Sequence, residues 1–249
     1  SKRLLLWCIA LIAIVSIGQI PPISQETSYH QFADTKMYLG VPNMWNVLSN
    51  LPFLFVGLYG LNLVIKAKQS LRSLYWGGLT FSIGVTLVAF GSGYYHWQPN
   101  NYTLVWDRLP MSISFMGLYA MVLSAYVRAE SGTTILPWLI VAGVVSVIYW
   151  AITEAAGKGD LRWYALVQFL PMVLTLVILT FFQSATANKS KLVYVLLWYF
   201  LAKVLEFADL QILTVTSVIS GHSLKHVAAA IACYYVIDWL KAVKGRTVE

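Results

Sequence analysis

Long apolar runs separated by short polar stretches dominate this chain. A membrane-spanning helix needs about 20 mainly apolar residues. The pattern therefore predicts eight transmembrane helices, over residues 4–20, 45–65, 74–95, 109–127, 135–153, 163–182, 192–213 and 222–240. A polar stretch at 23–43 follows the first run, and the sequence shows no internal repeat and no second domain.

The first run, 4–20, is similar to a secretory signal peptide in its basic start and apolar centre. No small-x-small cleavage pattern closes it, and Pro21 and Pro22 follow its end. We therefore predict an uncleaved first helix rather than a removable leader.

Composition supports a membrane protein. The 249 residues are 59% hydrophobic and 11% charged, whereas a soluble domain is about 45–50% apolar and about 25% charged. The predicted fold class is an all-α polytopic membrane protein. The net charge of +7 does not indicate nucleic-acid binding, because Lys and Arg gather in loops on one side of a membrane protein. Both cysteines lie in apolar runs, so a disulfide framework is not indicated.

The distribution of basic residues predicts the orientation of the bundle. One side collects the start of the chain and every second loop, with Lys2, Arg3, Lys66, Lys68, Arg72, Arg128, Lys189, Lys191, Lys241, Lys244 and Arg246. The opposite loops hold Lys36, Arg108, Lys158 and Arg162, diluted by acids. The positive-inside rule therefore places both termini in the cytoplasm.

Three of the four histidines fall at one membrane depth. His96 ends the third run, while His222 and His226 open the eighth, and by the topology above all lie at the outer end. Asp107 stands at the start of the fourth run, at the same end. His222 and His226 are separated by four residues and share a helix face, as do Ser92 and His96. Ionisable groups within spans are costly and indicate functional sites.

Three neutral imidazoles that leave one position open are the ligand set of a catalytic zinc site. Asp107 could then hydrogen-bond the water at the metal. Simpler interpretations exist for each residue alone. The histidine pair could cap a helix end, Ser92 could be a close-packing position, and Asp107 could form an interfacial ion pair with Arg108. The convergence of four positions favours a metal site.

These residues resemble the motif order of the CREST superfamily, which includes alkaline ceramidases, the adiponectin and progestin receptor family and GPI-lipid remodelling proteins. The matching order is Ser92-x-x-x-His96, then Asp107, then His222-x-x-x-His226. A second stretch, "NMWNVLSNLPF" at 43–53, is similar to the Trp-Asn-x-x-Ser-Asn pattern of alkaline ceramidases. The resemblance implies a seven-helix core within 23–240, an additional transmembrane helix at 1–22 and a cytoplasmic basic tail at 241–249.

The resemblance also implies roles for residues. His96, His222 and His226 would ligate Zn²⁺, Asp107 would hold the water at the metal, and Ser92 would lie against the site. Asp107 could then take the proton of the attacking water, and Ser92 could hydrogen-bond the developing oxyanion or the metal shell. Alkaline ceramidases carry an acid-rich calcium-binding segment before the first core helix. Here that segment, "HQFADTKMYLGVPNMWN", supplies few acids and places Asn43 where the last acid would stand. Calcium needs several charged oxygen ligands, so a Ca²⁺ site is doubtful.

Other polar residues have weaker claims. Asp209, near the outer end of the seventh run, could contact a lipid head group, while Lys203 and Glu206 could form a buried ion pair. Asn46 and Asn50 share a helix face and fit hydrogen bonds between helices, with substrate contact as the second interpretation. We expect His30 to be a solvated loop residue.

The predicted function is a zinc-dependent hydrolase of linear amides that cleaves ceramide or a similar N-acyl lipid to a fatty acid and a sphingoid-type amine. The alternatives are a zinc-containing seven-helix receptor or sensor, and a haem- or metal-handling membrane protein. We expect a membrane lipid substrate, no nucleic-acid partner, and a site near the periplasmic or lumenal face. Short loops favour a bacterial inner membrane, although "NYT" at 101–103 matches a glycosylation acceptor.

Overall fold

A computed structural model describes residues 2–184 and 188–246, and this part of the chain is built of helices. In chain order they are α1 (Lys2–Gln19), α2 (Met44–Leu48), α3 (Leu51–Lys66), α4 (Lys68–Leu71), α5 (Tyr75–Trp97), α6 (Asn101–Tyr126), α7 (Ala129–Ala155), α8 (Arg162–Phe181), α9 (Lys189–Phe207), α10 (Asp209–Thr216) and α11 (Gly221–Arg246). Short 3-10 turns cover Thr27–His30 and Arg72–Leu74.

Seven segments in the described ranges are long and apolar enough to cross a membrane, which confirms an all-α multi-pass membrane protein. They are Lys2–Gln19, Met44–Lys66, Lys68–Trp97, Asn101–Tyr126, Ala129–Ala155, Arg162–Phe181 and Gly221–Lys244.

Several boundaries differ from the sequence prediction, and two of these differences concern polar residues near the predicted site. The run predicted at 192–213 is interrupted, because α9 ends at Phe207 and α10 begins at Asp209. α9 also carries four charged residues, which lowers its hydropathy. The run predicted at 109–127 begins earlier, since Asn100 and Thr103 form a capping box at the start of α6. Asp107 therefore lies in the second turn of a helix.

Glycines let α5 approach α6 closely. Gly77, Gly84 and Gly91 recur every seven residues along α5, which keeps them on nearly one face. A Cβ atom added to Gly91 would lie 1.9 Å from the carbonyl oxygen of Trp106, and one added to Gly84 would lie 2.9 Å from that of Pro110. Small residues are the usual way for helices to pack within a membrane, and this contact brings Ser92 beside Asp107.

α1 lies outside the main bundle, against α8. Among its residues only Leu6 is buried. The Arg162 guanidinium, at the start of α8, donates hydrogen bonds to the carbonyl oxygens of Gly18 and Ile20. Asp160 holds that guanidinium with both carboxylate oxygens at 2.8 Å.

The two ends of the bundle differ in charge. His96, Asp107, His222 and His226 gather at one end, where α5 finishes and α6 and α11 begin. The basic residues that the sequence assigns to the cytoplasmic side flank the opposite helix ends. Of the tail predicted at 241–249, residues 241–246 continue α11, and residues 247–249 lie outside the described ranges.

Gly91→Ala should destabilise the protein by about 1–3 kcal/mol, because its methyl group would force the backbones of α5 and α6 apart. Gly93→Ala is the matched control, since nothing lies within 4 Å of a Cβ atom at that position. Unfolding in detergent micelles, followed by circular dichroism, measures both variants. Equal stability of the two variants would contradict this packing.

Asp160 should make stability depend on acid pH. The hydrogen bond from Arg162 is the main reason that the pKa of Asp160 is lowered. A lowered folded-state pKa gives stabilisation that is complete above the unfolded value of about 3.9 and is lost as pH falls through the folded value. Asp160→Asn should therefore be less stable at neutral pH and should flatten this acid dependence in thermal unfolding. Glu130→Gln, in an exposed ion pair with Arg128, should change little.

Candidate metal centre

Three histidines converge at one end of the bundle. α5 supplies His96 from its last turn, and α11 supplies His222 and His226 from its first two turns. The ring centroid of His96 lies 4.8 Å from each of the other two, which are 5.1 Å apart. One ligand nitrogen from each histidine lies within 4.8 Å of the others. The predicted convergence of these three residues is therefore present.

The cluster has the properties of a metal site. His96 is 1% exposed, and His222 and His226 are each 6% exposed. Nδ1 of His96 and Nε2 of His222 are buried and have no hydrogen-bond partner in the described ranges. A buried nitrogen without a partner loses its hydration uncompensated. Three imidazole nitrogens suit zinc, copper, iron or nickel, so the cluster could hold a metal ion.

Ser49 determines which nitrogen of His226 can bind a metal. Its Oγ lies 2.8 Å from Nδ1 of His226 and 3.1 Å from the carbonyl oxygen of Asn46. A carbonyl can only accept, so the single hydroxyl hydrogen goes to Asn46. Nδ1 of His226 therefore carries a hydrogen and donates it to Ser49. This leaves Nε2 as the ligand atom. Metal-binding histidines commonly donate their other ring N–H to a partner that fixes the tautomer in this way.

The polar segment that precedes α2 covers the histidines. The Phe32 ring packs 4.7 Å from the ring of His96 and 4.6 Å from that of His222. Asn43, at the end of the segment, donates from Nδ2 to the carbonyl oxygen of His96 at 2.9 Å. Asn43 has a left-handed backbone with φ of 48°, a conformation that asparagine adopts more readily than most residues. The segment thus shields the cluster and holds the end of α5.

The acids of this covering segment bear on calcium. Asp34 is buried, and its Oδ1 accepts from the backbone N–H of Lys36 at 3.1 Å. Glu26 is exposed. Asn43 stands where the resemblance to alkaline ceramidases would place an acid, and its side-chain amide donates to the carbonyl oxygen of His96. Calcium prefers several charged oxygen ligands, so its binding stays the doubtful case predicted from sequence.

A partly open cavity of about 320 Å³ reaches the cluster at His226. Most of its wall is apolar, with Phe53, Phe81, Val85, Val88, Met111, Phe115, Leu118, Met172, Val195, Ala229, Ala232 and Val236. α8 and α9 both contribute to the wall, and Nε2 of Gln168 donates to the hydroxyl of Tyr199 at 3.1 Å across it. The cavity has the apolar character of a site for a hydrophobic ligand.

Ser92 and Asp107 both face this cavity, together with His226. Both are buried, and the Ser92 hydroxyl interacts with the Asp107 carboxyl. The sequence allowed Ser92 to be a close-packing position instead of a site residue. In the structure Gly91 makes the close helix contact, and Ser92 next to it faces the cavity. A carboxylate, a hydroxyl and a candidate metal ligand thus line the same, mostly apolar cavity.

The polar wall contains further charges. Glu206 pairs with Lys203 at 2.7 Å, as predicted, although the Lys203 side chain is not buried, and Glu206 also pairs with Lys225 from α11. Arg108 lies with its guanidinium carbon 4.1 Å from the ring of Trp150 and 4.7 Å from that of Tyr164. These contacts replace the interfacial ion pair with Asp107 that the sequence allowed.

Tyr29 also lines the cavity. Although 40% of its surface is exposed, its hydroxyl is buried, and this burial, reinforced by the charge of Glu206, raises the pKa of Tyr29 to about 12. The phenol therefore stays protonated and can donate a hydrogen bond into the cavity.

Asp209, Asn46 and Asn50 lie outside the cavity wall. Asp209 accepts backbone hydrogen bonds from Ala33 at 3.0 Å and from His222 at 2.7 Å, joining the covering segment to α11. Asn46 accepts from Ser223 at 2.6 Å. Asn50 donates to the carbonyl oxygen of Asn46 at 2.8 Å. The contacts of Asp209 and Asn46 hold separate segments together, as expected for hydrogen bonds between helices, whereas the hydrogen bond of Asn50 is local. Substrate contact by the three residues stays a prediction.

His30 is not the solvated loop residue that the sequence suggested. Its Nδ1 lies 3.0 Å from the Tyr95 hydroxyl, and its Nε2 lies 2.8 Å from Oδ1 of Asn101. Tertiary contacts of this kind leave no local pattern in the sequence. Ser49 was more accessible to prediction, because it belongs to the Trp-Asn-x-x-Ser-Asn stretch, yet its link to His226 spans 177 positions.

Comparison with known families agrees with the geometry. The family model described as Ceramidase matches residues 36–247. Since this match covers most of the chain, the protein belongs to the ceramidase family, and the resemblance to alkaline ceramidases is confirmed. No curated protein matches the chain significantly. The match begins after α1, and membership favours a hydrolase over a receptor or a haem protein.

Ser49→Ala should weaken binding of a divalent metal about 10- to 100-fold, because His226 would lose the partner that fixes its tautomer. Ser49→Thr retains a hydroxyl and should restore most of the affinity. Zn²⁺ titration against a chromophoric chelator measures both. Equal affinities for wild type and Ser49→Ala would show that Ser49 does not orient the ligand.

Proposed function

We propose that this protein is a zinc-dependent membrane amidase that hydrolyses ceramide or a similar N-acyl lipid. Family membership gives the class, a hydrolase that acts on amides. The observation that carries the proposal is the position of the three histidines beside Asp107 and Ser92, at the end of an apolar cavity within a membrane bundle.

The donor set supports zinc. His96, His222 and His226 would hold the ion through neutral nitrogens, and the described cluster has no fourth protein ligand. Three protein ligands with an open position are typical of catalytic zinc. When bound, zinc polarises a carbonyl and lowers the pKa of water at the site.

Asp107 is suited to move protons during hydrolysis. Its carboxylate would accept a proton from the attacking water and deliver it to the amide nitrogen as the C–N bond breaks. The water oxygen then stays on the acyl carbon, which gives a fatty acid and a free amine. Ser92, beside Asp107, would donate a hydrogen bond to the oxyanion that develops on the carbonyl.

The cavity would bind the acyl chain. Its apolar wall replaces the lipid environment of the chain, and the covering segment with Phe32 keeps water from the histidines. Entry from the side would pass between α8 and α9, which both line the cavity and are joined there by the Gln168–Tyr199 hydrogen bond.

We further propose that both termini are cytoplasmic and that the histidines face the periplasm or a lumen. The basic helix ends lie opposite the histidines, as the positive-inside rule requires. In this arrangement 1–22 is an additional transmembrane helix, 23–240 is the catalytic core and 241–249 is a cytoplasmic tail. The absence of α1 from the family match, which begins at residue 36, supports the separate first helix.

His96→Ala should lose both zinc and turnover of N-palmitoylsphingosine, because the cluster loses one of three ligands. Asp107→Asn should keep zinc but lose turnover by about 10²- to 10⁴-fold, the range for a general base. Elemental analysis and fatty-acid release from detergent-solubilised protein give the two readouts. His30 is the histidine outside the cluster, so the His30→Ala variant should retain the zinc content of the wild type.

An active His96→Ala variant without zinc would refute the metal proposal. A zinc-loaded wild type that cleaves no N-acyl lipid would refute the amidase.

A further inference from the structure

The polar and apolar parts of the cavity wall lie at different depths in the bundle. Its charged residues in the described ranges come from helix turns next to the histidine end, and they are Asp107 and Arg108 of α6, Lys203 and Glu206 of α9 and Lys225 of α11. The wall farther from this end is mainly apolar, with Phe81, Phe115, Val195 and Val236. A lipid whose acyl chain occupies the apolar part would therefore keep its polar part at the histidine end.

Three of the charged side chains form a network that the reaction described above does not use. Nζ of Lys203 lies 2.7 Å from Oε2 of Glu206, and Nζ of Lys225 pairs with Oε1 of the same carboxylate. The side chains of Lys203, Glu206 and Lys225 are 41%, 22% and 16% exposed, and all three line the cavity. The network is therefore ordered by its own ion pairs and is still accessible to a ligand.

The network lies close to the groups that would cleave the amide. The charges of Glu206 and Lys225 act on both Asp107 and His226. Asp107 comes from α6 and Glu206 comes from α9, so the two carboxylates belong to different parts of the wall. A substrate can therefore meet Asp107 with its amide and Glu206 with another polar group, without the two groups sharing one carboxylate.

The chemistry of the network favours a neutral hydroxyl as that second group. Each oxygen of Glu206 has a lone pair beyond the one that faces a lysine, and each ammonium has donors beyond the one that faces Glu206. An anionic ligand would meet the Glu206 carboxylate. A cationic ligand would meet two ammonium groups, and zinc at the histidines would add to that repulsion. A hydroxyl both donates and accepts, so it can bind carboxylate and ammonium together.

We propose that the network of Lys203, Glu206 and Lys225 binds the hydroxyl groups of the amine part of the substrate. Glu206 accepts a hydrogen bond from a hydroxyl, and Lys203 donates one to a hydroxyl oxygen. This inference rests on the proposed amidase function and assigns its head-group site. Hydroxylated N-acyl lipids such as ceramides are consequently cleaved in preference to amides without hydroxyls.

N-palmitoylsphinganine and its dideoxy analogue form a matched pair, since the analogue lacks both hydroxyls of the amine part but keeps the amide and both chains. Zinc-loaded wild type in detergent micelles should show a kcat/KM about 10- to 100-fold higher for the hydroxylated amide, the range that a hydrogen bond to a charged group provides. Glu206→Gln removes the charged acceptor and should lower this ratio about tenfold. The ratio is the readout, because a purely structural role of Glu206 would change both rates alike.

Asp238→Asn is the matched control. Asp238 pairs with Lys191, and this ion pair also joins α11 to α9, with side chains of similar exposure, but toward the opposite end of the bundle. Neither residue belongs to the cavity wall. The variant thus removes a comparable link between the same two helices, and the ratio should stay as in the wild type.

The outcomes separate this inference from the function on which it rests. If the amides are cleaved with a wild-type ratio near one, or if Glu206→Gln keeps the ratio, the inference fails and the amidase stands. An equal fall of the ratio in Asp238→Asn also overturns it, because the effect would then come from the link between the helices. If Glu206→Gln does not fold, Lys203→Gln takes its place. This variant keeps the Glu206–Lys225 pair and should lower the ratio by removing one donor, and an unchanged ratio would overturn the inference.

If wild type cleaves neither amide, the amidase fails, and binding of the two amides in mixed micelles, measured by calorimetry, decides on the head-group site. Tighter binding of N-palmitoylsphinganine that is weakened in Glu206→Gln supports the site. Equal binding of the two amides, or a preference that persists in the variant, overturns it.

Discussion

The contact between α5 and α6 determines the rest of the site. At Gly91 the backbone of α5 meets the carbonyl of Trp106 with no room for a side chain. The residues that follow, Ser92 on α5 and Asp107 on α6, are consequently held side by side. Because both helices are rigid and packed along a repeated glycine face, the relative position of carboxylate and hydroxyl is set by backbone contact and not by flexible side chains.

Polar groups at the histidine end form one connected system. The bilayer offers no water to satisfy them, so each buried donor needs a partner within the protein. Asp209 joins the covering segment to the start of α11, and Asn43 joins it to the end of α5. Ser49, between α2 and α3, contacts His226 on α11. Among the buried atoms left without a hydrogen-bond partner in the described ranges are one nitrogen each of His96 and His222, where a metal ion would bind.

Sequence predicts the local part of this arrangement well. Apolar runs indicated the helices, and the four-residue spacing placed Ser92 with His96 and His222 with His226, because helical repeat alone sets these relations. Family resemblance supplied the convergence of the two helices. The break at Ala208 was missed; beside it, Asp209 accepts a hydrogen bond from the backbone N–H of His222 on α11, a contact between residues distant along the chain. The aromatic surroundings of Arg108 were missed for the same reason, as they join residues distant along the chain.

Phe32 has a consequence for the exchange of any ion held by the histidines. Its ring covers two of the three imidazoles, and the segment that carries it is tied to α11 through Asp209. An ion can leave toward solvent on that side only after this segment opens locally. Opening of a hydrogen-bonded segment is slow relative to side-chain motion. Retention of the ion would thus be a kinetic property, governed by the opening rate of the cover as much as by the affinity of its ligands.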